Sequence, residues 1–217
     1  LGAHTLLGGE FETALVALYH RLAAHLPPDP LPAVSLPRQT FRMPTRAALP
    51  PLSAYAQLVL PDGSSRLAGY TEASRGCKHL CRHCPIVPVY GGQFRIIQRP
   101  TVLADVAQQV EAGAQHITFG DPDFFNGPGH AIPLVQELHR QHPALTYDVT
   151  IKIEHLLKHA DLLPILRDTG CLFVTSAVEA VDDAILEKLD KRHTTADFIR
   201  AATSLRQMGL ALNPTFL

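Results

Sequence analysis

The sequence predicts an α/β fold in which strands and helices alternate into a barrel or part of one. Three observations predict it. Beyond about Leu67, short apolar or alternating runs recur between helical patterns, which implies parallel βαβ units. No Gly-x-Gly-x-x-Gly fingerprint accompanies them, which disfavours a dinucleotide-binding sheet. Finally, Tyr147, Val149, Ile151 and Ile153 alternate with Asp148, Thr150, Lys152 and Glu154. A central strand covered by helices on both faces is apolar throughout, whereas one polar face fits a barrel wall turned to a wet lumen. An edge strand facing solvent is the competing reading.

The elements follow in order. Glu10 to His25 carries Phe11, Leu15, Leu18 and Leu22 at helical spacing, with Gly8-Gly9 as the turn into it. One helix cannot form a domain, so residues 1–26 read as the last piece of a domain that precedes them. Eight of the 18 prolines lie between Pro27 and Pro51. Proline fixes φ and lacks an amide donor, so this stretch runs extended over a surface, and residues 27–66 read as a linker. Residues 67–217 then hold five expected strands, Leu67–Ser74, His116–Gly120, Tyr147–Ile153, Cys171–Val178 and Leu210–Phe216. Helical patterns separate them at Thr101–Ala112, Ala131–His142, Asp161–Thr169, Asp182–Leu189 and Thr195–Met208. Gly170 and Gly209 stand where helix C-caps belong. The chain opens on Leu1 and closes on Leu217 within an apolar run, so it reads as a fragment.

Charges nearly cancel, 19 basic against 20 acidic residues, which provides no basic field for phosphate backbones and argues against general nucleic-acid binding. With 46% apolar and 18% charged residues the chain can bury a core, which excludes wholesale disorder. Its apolar runs fall far short of the roughly 20 residues that cross a bilayer, and no secretory signal pattern opens it. The four cysteines are too sparse for a disulfide scaffold, which points to a thiol or metal site in the cytoplasm.

Three of those cysteines cluster. Gly69–Gly92 reads GYTEASRGCKHLCRHCPIVPVYGG, which places Cys77, Cys81 and Cys84 at Cys-x3-Cys-x2-Cys after the first expected barrel strand. Thiolates hold soft metals, and three on one short loop can bind three irons of a cubane and leave the fourth open. A zinc site completed by His79 or His83, and a closed cluster completed by a fourth cysteine, are the alternatives. Cys171 sits beside Leu172 and Phe173 on an expected strand, where a buried cysteine acts as a small hydrophobe. Position directly after the strand that opens the βα array favours the open cluster. Other constellations are weak. The 12 histidines are scattered, and His155 and His159, four apart on one helical face, read as surface residues with no third ligand. No Gly-x4-Gly-Lys phosphate loop and no Gly-x-Ser-x-Gly nucleophile turn occurs.

With this spacing and strand context the chain resembles the radical S-adenosylmethionine (SAM) superfamily over almost its whole length. Gly9-Glu10-Phe11-Glu12, the proline-rich linker, Leu49-Pro50-Pro51-Leu52 and Tyr55 are similar to the layout of members preceded by a cobalamin-binding domain. EASRGCKHLCRHCPIVPVYGG, FGDPDFFN and LNPTFL resemble, more narrowly, the CUAEP/CCAEP-tail radical SAM proteins. The resemblance implies a partial (β/α)6 barrel with about five of six strands, preceded by a cobalamin-binding-like α/β remnant over residues 1–26. It implies a [4Fe-4S] cluster on Cys77, Cys81 and Cys84, with SAM chelated at the open iron and cleaved reductively to a 5′-deoxyadenosyl radical. It also implies an external one-electron reductant such as flavodoxin or ferredoxin, and leaves the substrate unknown. Cobalamin would enter only through the preceding domain, and cobalamin-dependent methyl transfer is the alternative within the class. A non-catalytic zinc or iron–sulfur binding module is the alternative outside it.

The resemblance also implies a set of cofactor contacts. His83, before the third cysteine, stands where an aromatic residue commonly packs near the adenine; an exposed loop histidine is the plain alternative. Phe119-Gly120-Asp121-Pro122-Asp123 stands where a Gly-Gly-Glu-like motif holds the SAM amino group, which makes Gly120, Asp121 and Asp123 candidates. Asp-Pro-Asp is also good turn chemistry. Glu179, in Ser176-Ala177-Val178-Glu179, resembles a glutamate lying near the cofactor. Lys191, in Asp190-Lys191-Arg192-His193-Thr194, matches a cation that meets the SAM carboxylate. Lys152 and Glu154 are candidate lumen residues for substrate or cofactor.

Overall fold

In the computed structural model, residues 4–28 and 33–217 are described; Leu1–Ala3 and Asp29–Pro32, the latter inside the proline-rich stretch, lie outside them. In chain order the elements are β1 (Gly8–Gly9), α1 (Glu12–Ala23), β2 (Val34–Ser35), β3 (Gln57–Val59), β4 (Ser65–Thr71), β5 (Ser74–Gly76), α2 (Val87–Tyr90) and β6 (Phe94–Ile96). Then come α3 (Arg99–Glu111), β7 (His116–Phe119), α4 (Pro128–Gln141), β8 (Thr146–Thr150), α5 (Ile153–Lys158), α6 (Leu163–Asp168), β9 (Cys171–Glu179), α7 (Asp183–Lys188), α8 (Thr195–Gln207) and β10 (Ala211–Phe216). Six strands form one sheet, ordered β10-β9-β8-β7-β4-β3, curled into a half-barrel. From β4 to β10 every neighbouring pair is parallel and the order follows the chain without reversal. A doubly wound sheet would reverse once, so the barrel reading is correct.

Each strand divides its side chains between two faces. Ile117, Phe119, Tyr147, Val149 and Val174 are buried in the core beneath the helices, with Val106, Leu134, Leu138 and Leu205 packed against them. The opposite face carries a polar ladder. His116 Nε2 and Thr118 Oγ1 lie 2.9 and 2.7 Å from Asp148 Oδ1, and Asn213 Nδ2 donates to Thr175 Oγ1 at 3.4 Å. Period-two alternation in a curled sheet produces this apolar wall and polar lumen. The expected strand Tyr147–Ile153 ends earlier, at Thr150. Lys152 is the extended residue before α5, and Ile153 and Leu156 are buried on that helix. Their i, i+3 spacing wins over the strand alternation, so Glu154 is helical rather than part of the barrel wall.

Residues 57–66, expected as linker, belong partly to the sheet. β3 pairs antiparallel with β4, Gln57 opposite Leu67, through the turn at Pro61-Asp62-Gly63. The N-terminal segment is tied on separately. β1 and β2 pair in parallel, so Gly8-Gly9 is a short strand before the helix. Arg75 ion-pairs with Glu12 and with Glu72 at 2.9 Å, and lies 3.6 Å from Glu10. α1 itself buries no side chain, and Leu15, Val16, Tyr19 and Leu22 on it are exposed. A cleft of about 740 Å³ separates this segment from β4; Glu12, Gln39, Arg46, Glu72, Arg75 and Asp105 line it and no cysteine does. Among the described residues no helix is long and apolar enough to cross a membrane.

Asp105 on α3 clamps the linker to the end of β4. Nearly buried, it accepts from Arg46 Nε at 2.7 Å, Arg46 NH2 at 2.8 Å and Thr71 Oγ1 at 2.8 Å, and its carboxylate raises the Arg46 pKa. Asp105→Ala would leave that guanidinium, 27% exposed, without its anion and the Thr71 hydroxyl without its acceptor; losing hydrogen bonds to a charged group costs about 1.5–3 kcal/mol. Urea unfolding of the variant is expected to show a loss in that range, and a loss below about 1 kcal/mol, the scale of an exposed pair, would contradict it.

Candidate functional site

In a parallel barrel, chemistry gathers at the C-terminal ends of the strands, where successive βα loops meet. The cysteines lie on the loop that follows β4. β5 and β6 form a two-stranded antiparallel ribbon, Gly76 opposite Phe94, that brackets this loop. Gly76, directly before Cys77, has φ +73°, and an added Cβ there would run into the Tyr90 ring and the Gln93 carbonyl, so a glycine is required. Asp121, just past β7, anchors the start of the ribbon. It accepts from the Ala73 amide at 2.8 Å and Ser74 Oγ at 2.6 Å, and burial pushes its pKa up to about 6. Gly120 is packed so closely under Tyr70 that any Cβ would strike the phenol.

All four cysteines are free thiols. Cys77 and Cys81 are buried and Cys84 is partly exposed. Burial raises the Cys77 thiol pKa, so a thiolate there needs a positive partner. Lys152 Nζ lies 3.6 Å from Cys81 Sγ, and Asn126 Oδ1 accepts from the Lys78 amide at 3.1 Å while lying 3.8 Å from Cys77 Sγ. Soft thiolates on a constrained loop with a cation beside them suit an iron–sulfur cluster. Cys171 stands apart in β9, buried, its thiol pushed far above the ordinary value by desolvation; it is the small hydrophobe expected.

Three of the expected cofactor contacts converge. His83 Nε2 and Lys191 Nζ lie 3.0 and 3.2 Å from the same oxygen, Glu179 Oε1. The cysteine loop is drawn there because the Arg82 amide donates to the Leu189 carbonyl at 3.0 Å. Glu179 ends β9 with φ +73°, a left-handed conformation costly for a residue with a Cβ. Such strain persists where surrounding contacts hold it, and it concentrates at functional sites.

Asp123 goes elsewhere. Its Oδ1 accepts from the Phe125 amide at 3.1 Å. Its Oδ2 lies 2.7 Å from His155 Nδ1 and 3.5 Å from His79 Nε2. Desolvation of Asp123 opposes ionisation, but the two imidazoles outweigh it and hold the carboxyl below its ordinary value. Both oxygens of Asp121 are therefore bonded inside the protein, and Asp123 has Oδ1 bonded and Oδ2 turned toward the two imidazoles. His155 is buried, which corrects the expectation of a surface histidine; His159 beside it is half-exposed. The groups that meet His155 come not from its own helix but from other strand ends, Asp123 after β7 and His79 after β4. Asn126 and the pairing of His79 with His155 were not anticipated. Their signal was topological: residues just past neighbouring parallel strands share one end of the barrel.

The protein-family model described as the Radical SAM superfamily matches residues 71–215. Among curated proteins the chain is similar to a hopanoid C-3 methylase of Methylococcus capsulatus, 23% identical over 65% of this chain and 27% of that protein. It is also similar to a threonylcarbamoyladenosine tRNA methylthiotransferase of Rickettsia prowazekii, 25% identical over 67% of this chain and 36% of that protein. The chain thus spans roughly a quarter to a third of the length of these relatives. Among solved structures it resembles the cobalamin-dependent SAM radical enzyme OxsB (TM-score 0.62, 16% identity, 74% of this chain and 29% of that one). The radical SAM methyltransferase TsrM of Kitasatospora setae shares the fold too (TM-score 0.56, 20% identity, 70% of this chain and 31% of that one).

Proposed function

The chain belongs to the radical SAM superfamily, and from that premise we propose that it holds a [4Fe-4S] cluster through Cys77, Cys81 and Cys84 and cleaves SAM reductively to start radical chemistry on a substrate still to be identified. The carrying observation is the three free cysteines on the loop after the first parallel strand of a half-barrel. When bound, cluster and SAM together supply reductive cleavage of the sulfonium and a carbon-centred radical able to abstract hydrogen.

The chain's own residues bind and orient. Lys152 offsets thiolate charge at Cys81, and Asn126 fixes the loop at Cys77 and Lys78. Lys191 is our candidate for the SAM carboxylate and His83 for the adenine side, with Glu179 holding both in place. For the SAM amino group we assign the Gly120–Asp123 segment, through main-chain carbonyls, since Asp121 is bonded through both oxygens and Asp123 is turned to the Phe125 amide and two imidazoles. Substrate would lie over the polar lumen face near Thr150 and Thr175, toward the C-terminal strand ends where the cysteine loop stands. An external one-electron donor such as flavodoxin or ferredoxin, and a cytoplasmic location, complete the proposal.

The test is anaerobic iron–sulfide reconstitution followed by EPR of the dithionite-reduced protein. A [4Fe-4S]+ signal that changes on adding SAM is expected, with 5′-deoxyadenosine released. A zinc-loaded protein that takes up no iron and sulfide would overturn the reading. Cobalamin-dependent methyl transfer is the second reading, favoured by the exposed apolar side chains of α1, which suit residues 1–26 as the docking end of a preceding cobalamin-binding-like domain, with 27–56 as the connection. S-adenosylhomocysteine formed alongside 5′-deoxyadenosine would distinguish it.

A further inference from the structure

His79, Asp123 and His155 each bring one ligand-type atom to within 4.8 Å of the others, and His79 Nε2 and His155 Nδ1 both approach Asp123 Oδ2. All three are buried: the side chains are 8%, 0% and 10% exposed. All three atoms also lack a hydrogen bond of acceptable geometry. The 2.7 Å approach of His155 Nδ1 to Asp123 Oδ2 is close enough for one, so its direction is what fails. Buried polar atoms left without partners are costly, about 1–3 kcal/mol each, and three aimed at one point share one remedy. A cation between them would satisfy every one at once.

The surroundings are arranged as a metal site's would be. The other oxygen of Asp123 is spent on the Phe125 amide, which fixes the carboxylate and leaves Oδ2 turned inward. The other nitrogen of His79, Nδ1, lies 3.6 Å from Glu154 Oε2, just beyond hydrogen-bond length, on the side from which a carboxylate orients a ligating imidazole. Glu154 is steadied in turn by Lys152 Nζ at 3.5 Å. With metal–ligand bonds of about 2.0–2.2 Å, neighbouring ligands in a tetrahedral site sit about 3.3 Å apart. The two separations from Asp123 Oδ2, 2.7 and 3.5 Å, bracket that value, and the ligand atoms all lie within 4.8 Å of one another, so side-chain adjustment draws the three onto one ion.

We propose that His79, Asp123 and His155 form a second metal site, distinct from the cysteine cluster, for a borderline divalent cation such as Zn2+ or Fe2+. Two imidazoles and one carboxylate select that class over Mg2+ or Ca2+, which take oxygen ligands. Three protein ligands leave a coordination position open, as in catalytic rather than structural zinc sites. That position would take water or an oxygen or nitrogen donor of the substrate. Because His79 lies between Cys77 and Cys81, the ion would stand beside the cluster loop without using its thiolates.

The test uses the full chain with its cluster reconstituted, exposed anaerobically to one equivalent of Zn2+ and desalted. Elemental analysis is expected to find about one zinc per chain beyond the cluster iron, and the zinc X-ray absorption fine structure a shell of nitrogen and oxygen only. His155→Ala is expected to lower that zinc at least about tenfold while the cluster EPR signal is kept, and His159→Ala to retain it. Sulfur in the zinc shell, no bound zinc, or full zinc in His155→Ala would each overturn the site. The fine structure answers on the unaltered protein even if the variant fails to fold, and the cluster signal reports separately on the radical SAM reading.

Discussion

Cys81→Ser is expected to assemble little or no [4Fe-4S] cluster and to lose SAM cleavage by more than about a hundredfold. Groups that merely support a metal ligand are worth about 10–100-fold in metal affinity or activity, and removing a ligand takes away more than its support. At Cys81 the loss is compounded, because Lys152 Nζ lies 3.6 Å from the sulfur. That ammonium is placed to offset a thiolate. Serine stays neutral there, so the ammonium would keep only the Glu154 carboxylate, 3.5 Å away, as its anion. Cys171→Ala is the control: its thiol is buried in β9 and kept protonated by desolvation. Its cluster content should be normal, with only a core-truncation loss of about 1 kcal/mol. Iron and sulfide analysis, reduced-state EPR with and without SAM, and 5′-deoxyadenosine release check both. Full cluster with an intact SAM-dependent EPR change in Cys81→Ser would rule that cysteine out as a ligand.

The five parallel strands and their helices were legible in the sequence because each joins a short apolar run to a periodic helix. What was not legible has physical reasons. Ile153 fits both a strand alternation and the first turn of a helix, and packing of α5 against α8 chose the helix, while the Ile151 amide still donates to the Thr175 carbonyl of β9. β3 was hidden in a segment read as proline-rich linker, although Pro61-Asp62-Gly63 is a turn signal between two short apolar runs. At the site, the cysteine spacing carried the metal expectation by itself. The destinations of the acidic residues could not be read that way. Asp121 and Asp123 are two apart, yet one ties the start of the β5 ribbon and the other faces two histidines. His79 and His155 are far apart in the chain and meet only because the loop after β4 and the residues after β8 share one barrel end.

Lys191→Met separates a cofactor contact from a structural ion pair. Lys191 is 3% exposed and Glu179 9% exposed, so the variant leaves a buried carboxylate with only His83 Nε2, at 3.0 Å, beside it. Breaking a buried pair costs about 3–5 kcal/mol when nothing replaces the partner; the imidazole takes part of that load, so a loss near the lower figure is expected in urea unfolding. A charge-assisted hydrogen bond to the SAM carboxylate contributes about 1.5–3 kcal/mol, which corresponds to roughly 10–150-fold in Kd. Lys191→Met with Glu179→Gln removes both charges while keeping shape, so most of the stability should return. SAM affinity of the cluster-loaded protein should not return, because the ammonium is still missing. The backbone sharpens the comparison: Glu179 holds φ +73° and its carbonyl accepts from the Leu217 amide at 3.0 Å, so glutamine preserves the strained strand end. If calorimetry finds that SAM affinity recovers together with stability, Lys191 acts by supporting Glu179 and the SAM carboxylate is held by another group.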